Sequence, residues 1–364
     1  MRKAFSILVC CLFAALLTDC EKDEPVVPST LHVETPGTLP TLIPEAKKHE
    51  ITSLKLTGNL NGTDIRFIRE MAGSDVNGNK TTGKLAALDL SEANIVEGGE
   101  AYFQFEYAPE NPPYKTSNNN IGAYMFSGCD KLTSITIPNN VTAINYRVFQ
   151  DCTSLKEFIV TSDNSNFSAV DGILFDKEKT SLISYPCERG ATNYTIPDKV
   201  TSIREIAFSG CKKLTSITIP NSVTSIEENA FFNCTGLSSI TIPDGVTIIK
   251  RWTFCRCIGL TSITIPDGVT SVERQAFSQC AELRSVTIGK EVTTIGFEAF
   301  SRCWELKDIF SRNPTPPTCD YYYGSFSEYS KASRTLYVPA GSLQAYKEAK
   351  HWKEFENIVE TAMP

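Results

Sequence analysis

The strongest constraint on this chain is a period. From Leu237 to Glu282 the text Leu-x-x-Ile-x-Ile-Pro-x-x-Val-x-x-Ile-x-x-x-x-Phe-x-x-Cys is written twice. Leu237, Ile240, Ile242, Pro243, Val246, Ile249, Phe254 and Cys257 are answered 23 residues later by Leu260, Ile263, Ile265, Pro266, Val269, Val272, Phe277 and Cys280. The cysteines measure the whole array. Cys129 and Cys152, then Cys211, Cys234, Cys257, Cys280 and Cys303 stand 23 apart except for one gap of 59, an ordinary repeat plus one of 36. Each is followed three residues on by leucine. A fixed period of this length is the mark of a solenoid.

Each coil has a physical reading. In Ser239-Ile-Thr-Ile-Pro243 the alternation sends Ile240 and Ile242 to one face and Ser239 and Thr241 to the other, as a half-buried strand requires. The proline removes a ladder donor and ends the strand. A turn follows, then a second short extended piece from Val246 to Ile249, and the segment ending at Phe-x-x-Cys has the spacing of a single helical turn. The expected coil is therefore a strand, a corner, a short strand and a short helix. Seven inward side chains do not offset the entropy of ordering 23 residues. One coil alone should not fold, and parallel stacking at the strand spacing of roughly 4.8 Å supplies what is missing.

This text is similar to that of the BspA-type leucine-rich repeats, common in cell-surface proteins of Bacteroides-like bacteria and some mucosal parasites. The resemblance is tight from about Ile121 to Leu306 and looser elsewhere. It implies a curved solenoid displayed outside the cell and used for attachment, and it names no ligand.

The rest of the chain is read around this array. Residues 1–19, with Arg2 and Lys3 before an apolar run from Ala4 to Leu17, have the form of an export signal peptide. Leu17-Thr18-Asp19-Cys20, followed by Glu21-Lys22-Asp23-Glu24, resembles a lipoprotein cleavage box with Cys20 as the lipidated residue. Asp19 stands where that pattern has a small residue. The acidic run resembles the signal that carries lipoproteins of such bacteria to the outer leaflet. The resemblance therefore implies an exported, surface-exposed outer-membrane lipoprotein. Residues 20–44, rich in Pro and Thr, read as a tether.

Residues 45–120 are expected to be irregular N-terminal capping repeats, with Leu54-x-Leu56 and Leu88-x-Leu90 as strands and a helix over Asp64 to Met71. A long loop fills 97–120. Regular coils occupy 121–305. The 36-residue coil carries an insertion at 161–190 that reads as a hairpin turning on Asp176-Lys-Glu-Lys179. Residues 306–364 form a C-terminal cap, with a strand at Leu336-Tyr-Val338 and a helix N-capped by Ser342 that carries Leu343, Tyr346 and Trp352.

Composition narrows the chemistry. A net charge of −7 without a basic stripe argues against nucleic acid. The 13 cysteines do not read as a disulfide scaffold, because a small apolar side chain fits a repeated buried corner. The three histidines, His32, His49 and His351, all lie outside the regular coils. No metalloprotease, nucleophile-elbow, phosphate-loop or calcium-loop motif is present. The expectation is a protein that is not an enzyme, has no cofactor, meets the membrane only through an N-terminal lipid and is a monomer.

Binding then falls to surfaces created by stacking. One is the row of outward hydroxyls Ser134/Thr136, Ser216/Thr218, Ser239/Thr241, Ser262/Thr264 and Ser285/Thr287, which suits a sugar chain or an extended polypeptide and is also simply what a soluble sheet face looks like. The other varies from coil to coil and includes Arg147, Arg251-Trp252 and Arg274. Tyr321, Tyr322 and Tyr323 either pack on the final coil or offer a recognition patch. Two readings follow: an adhesin-like surface module for a host or microbial protein, or an accessory glycan-capture lipoprotein beside a carbohydrate uptake system.

Overall fold

The computed structural model describes residues 29–106, 110–319, 325–326 and 333–362. They form a β-solenoid of about 14 stacked turns with few helices. The expected leader and Cys20 lie outside the described residues.

The period of the text becomes the register of the sheet. Strands pair in parallel with equivalent residues opposite: Ser216 with Ser239, Ile217 with Ile240, Ser262 with Ser285, Ile263 with Val286 and Thr264 with Thr287. A second column repeats the rule in the short strands, pairing Ile203 with Ile226 and Ile249 with Val272. A slip by one residue would turn the isoleucines to solvent, so burial holds this register.

The third side of the coil is not the expected short helix. Its amides alternate between two partners. Cys255 and Cys257 donate back to Trp252 and Phe254 of their own coil, whereas Trp252, Phe254 and Arg256 donate to Arg274, Ala276 and Ser278 of the next. An α-helix spends its amides within itself; here half of them are needed to join neighbours. The backbone manages this with two left-handed residues per coil, four apart: Asn229 and Asn233, Trp252 and Arg256, Gln275 and Gln279, Glu298 and Arg302, all with φ between 53° and 64°. Single-sequence spacing cannot separate this path from a helical turn, because both return a side chain to the core every three or four residues.

Inside, the columns are continuous within each half. Cys211, Cys234, Cys257 and Cys280 are all fully buried. Tyr185, Phe208, Phe231, Phe254, Phe277, Phe300 and Phe326 stack with ring centroids 5.1–5.3 Å apart. The cysteines do more than fill space. The thiols of Cys234, Cys257, Cys280 and Cys303 lie 3.1–3.2 Å from the carbonyls of Phe208, Phe231, Phe254 and Phe277, one coil back, and donate to them. A small apolar side chain with a weak donor therefore adds a second bond to a carbonyl that already accepts the amide of its own coil's cysteine. Cys211 departs from the expectation of unpaired thiols, for it is disulfide-bonded to Cys187. Cys187 lies one residue from the place the 23-residue ladder would give a cysteine, which brings the two sulfurs together.

The core divides at the 36-residue coil. One hydrophobic cluster runs from Val33 to Phe158 with Leu174 and Ile183, the other from Ile173 to Phe355. The insertion is the hairpin the sequence suggested, Ile173–Asp176 antiparallel to Ser181–Ser184, with Phe167–Val170 added on its other side. Its last strand pairs in parallel with Ser202–Ile203, so the hairpin is stitched into the second column.

Both ends extend further than expected. The tether predicted over 20–44 is, from Thr30, already a coil: Thr30–Val33 pairs with Ser53–Leu60, and Val33, Leu39 and Ile43 are buried. The Pro and Thr content that suggested a linker is tolerable in an edge coil, whose outer amides need no partner strand. The carboxylate of Asp64 fixes this coil by accepting from the amides of Gly37, Leu39 and Asn61 at 2.6, 2.9 and 2.9 Å. The expected helix runs Gly62–Met71, with Asn61 as its cap. The loop over 97–120 contains a hairpin, Gly98–Phe103 with Tyr114–Thr116. At the other end the text loses its period but stacking continues, through Asp308–Ser311, Thr335–Val338 and Asn357–Glu360. The last helix stops at Glu348 without a side-chain bond from Ser342. Trp352 lies beyond it, buried, and donates to the Pro317 carbonyl. A buried arginine closes each end of the regular stack: Arg69 donates to the Tyr124 and Met125 carbonyls, Arg334 to those of Leu306 and Cys303.

Candidate functional site

The alternation that buries the isoleucines leaves Ser and Thr on the outer face of the first column, and three successive coils turn that face into a groove of about 840 Å³. Its floor is Ser216, Thr218, Ser239, Thr241, Ser262 and Thr264. Thr218, Thr241 and Thr264 are exposed, whereas Thr136, expected outward on the same stripe, is buried. Each hydroxyl both donates and accepts, and the rows repeat at the strand spacing of ~4.8 Å. One rim is charged: Asp244 and Asp267 stand there with Arg312, whose guanidinium lies 3.6 Å from Asp267. The Asp-Gly turns after Pro243 and Pro266 supply the acidic side of this rim. Arg312 comes from beyond the periodic text, which is why sequence reasoning missed it.

The varied stripe lies apart from this groove. The guanidinium of Arg147 bonds Glu205 at 2.8 Å. Trp252 is half-buried, and its indole N–H donates at 2.6 Å to Gln275, which in turn donates to Glu298. Arg251 lies 3.6 Å from Glu228 and 3.9 Å from Glu273. Arg274 lies over the Phe297 ring at 5.1 Å. These side chains lace one coil to the next. A smaller cavity of about 420 Å³ runs past Arg251 and Arg274, and Trp252 is not among its walls. Tyr321, Tyr322 and Tyr323 lie outside the described residues.

Sequence reasoning also passed over Trp304, at 60% the most exposed large apolar side chain among the described residues. It occupies the position just after the ladder cysteine, where Ile258, two coils back, is also exposed. The step from Cys303 to Leu306 carried that signal, since the residue just after the ladder cysteine lies outside the core in every coil.

The buried cysteines are poor nucleophiles. Burial pushes the thiols of Cys234 and Cys303 up to about 12 and those of Cys129 and Cys255 up to about 11. Burial likewise holds Cys152, Cys257 and Cys280 well above the ordinary thiol range. His32 bonds Thr57 and His351 lies near Glu354, at opposite ends of the stack. Among the described residues, no group of three or more His, Cys, Asp or Glu is placed to hold a metal ion. No helix among them is long and apolar enough to cross a membrane.

Comparison with known proteins agrees with the geometry. The pattern of the BspA type leucine-rich repeat region matches residues 84–180 and 184–307 in six copies, more than half of the chain. No curated protein matches the chain by sequence. Among solved structures, a pneumococcal vaccine antigen, PcpA, is 19% identical with a TM-score of 0.59, over 86% of this chain and 80% of that one. A leucine-rich cell-surface protein from Faecalibacterium prausnitzii is 25% identical with a TM-score of 0.51, over 78% and 79%.

Proposed function

This chain belongs to the BspA-type leucine-rich repeat family, and we propose that it is a non-catalytic binding protein of the cell surface that holds an extended segment of a host or microbial surface protein. The observation that carries the reading is the hydroxyl groove: a trough floored by repeated Ser and Thr with a charged rim. An extended polypeptide offers the alternating donors and acceptors such a floor can meet. A glycan strand is the second reading, favoured by the same hydroxyls. Surface display is supported by the likeness to the F. prausnitzii protein, a leucine-rich protein of the cell surface. Anchoring through a lipid on Cys20 is supported by the residues around it.

The test is a binding isotherm of the chain against purified mucin and against purified extracellular-matrix protein. Thr241→Arg fills the centre of the groove and should weaken binding about tenfold, or ~1.4 kcal/mol, while Trp252→Ala leaves it unchanged. Binding indifferent to Thr241→Arg would remove the groove from the account.

A further inference from the structure

The inserted hairpin breaks the second column of strands, and the break is a cavity. Ala143–Ile144 pairs with Asn120–Ile121, whereas Ser181–Ser184 pairs onward with Ser202–Ile203, and the two groups belong to separate sheets. Between them lies a space of about 310 Å³. Asn145 and Tyr146 form one bank, Arg204, Glu205 and Glu227 the other, and Ile183 and Ser202 also line it. A regular coil would fill this space, but the inserted one offers Ile183 and Ser184 and then turns inward to Tyr185, which joins the aromatic column.

The walls are held in place. Tyr146 is 46% exposed, yet its ring packs edge-on to Tyr124 at 5.6 Å and its hydroxyl shares a hydrogen bond of 3.2 Å with that of Tyr114. The neighbouring Arg147 reaches across 58 residues of sequence to hold Glu205. Glu227 is gripped by Lys250 and by the Ser225 hydroxyl. Each carboxylate thus has a cation beside it and still has acceptor positions to offer. A bare anion would meet two carboxylates, and a bare cation would compete with Arg147 and Lys250. A neutral ligand with one apolar face and an edge of hydroxyls matches all the walls at once: its C–H face lies on an aromatic ring with a polar tip, and its hydroxyls are shared among Asn145, Arg204 and Glu205. The volume is at the low end of small-ligand pockets, ~300–1,000 Å³.

We propose that this seam cavity is a binding site for a pyranose ring, with Tyr146 as the stacking platform and Asn145, Arg204 and Glu205 as the groups that recognise its hydroxyls. The site is separate from the hydroxyl groove and stands whether or not the groove binds protein.

The test is saturation-transfer NMR on the chain with four probes: methyl β-galactopyranoside, methyl α-mannopyranoside, methyl β-glucopyranoside and methyl N-acetyl-β-glucosaminide. At least one should bind at millimolar concentration. Tyr146→Ala should weaken it about tenfold or more, and Tyr146→Phe, which keeps the ring, by much less. Asn145→Ala, on an exposed side chain, should cost several-fold and serves if Tyr146→Ala does not fold. Trp304→Ala should leave sugar binding unchanged. No binding by any of the four, binding that survives both Tyr146→Ala and Asn145→Ala, or binding lost with Trp304→Ala would overturn the proposal.

Discussion

Removing one ring from the aromatic column tests how far energy travels along the stack. Phe254 is fully buried between Phe231 and Phe277, at centroid distances of 5.3 and 5.2 Å. Phe254→Ala should cost about 3–5 kcal/mol, the transfer of the ring plus the cavity it leaves. Coils touch only their neighbours, and the interior divides into two hydrophobic clusters at the inserted coil. The cost should therefore fall on the half that contains Phe254. For a unit of roughly 150–250 residues, about 2–4 °C per kcal/mol gives a fall of ~6–20 °C. Calorimetry of the wild type should show two transitions, of which Phe254→Ala lowers one, and Phe126→Ala should lower the other. Hydrogen exchange would assign them, with protection lost around 208–300 and kept around 54–95 in the Phe254 variant. A single transition, or equal shifts of both, would show that the seam transmits the loss and would refute the division of the core.

Three further outcomes can be checked together. Iodoacetamide at pH 8 should leave Cys234, Cys257, Cys280 and Cys303 unmodified in the folded chain and label them after denaturation, since burial raises these thiols and excludes reagent; peptide mapping that finds native modification at Cys257 would contradict the interior column. Burial alone would raise the Glu227 carboxyl, but the bonds from Lys250 and Ser225 outweigh it and hold it below its ordinary 4.5. A lowered carboxyl stabilises the fold above its unfolded value and loses that contribution as pH falls through the folded one, so the stability gap between wild type and Glu227→Gln should be full at pH 7 and close in acid below 4.5, as read by urea unfolding at a series of pH values. Arg334→Met removes donors from the Leu306 and Cys303 carbonyls; the second still accepts the Leu306 amide, so the loss should destabilise the C-terminal half by about 1–3 kcal/mol, with no change in the melting of the N-terminal half.

Much of this architecture was written in the text, because stacking copies one local solution. Ile240 and Ile263 occupy the same place in their coils, so their spacing carries a tertiary fact. The parts that were not legible depend on contacts without a period. Thr30–Val33 reads as linker because its few apolar residues become a strand only against Ser53–Leu60. The third side of the coil reads as helix because left-handed Asn229 and Trp252 leave no mark that separates them from helical residues. The Cys187–Cys211 bond needed the one-residue offset of the insertion, and Arg312 reaches the groove from a coil whose text has lost the repeat. Thr218, Thr241 and Thr264 were visible as candidates; the groove they line was not.

The sameness of that groove has a cost for recognition. A partner that grips the hydroxyls of two coils can shift along by one and find the same hold, so two docked positions are nearly equal in energy. Two equivalent positions add about 0.4 kcal/mol of statistical gain, while the partner remains free to slide. What stops it must lie where translational symmetry ends, and the Asp267–Arg312 pair sits at that boundary.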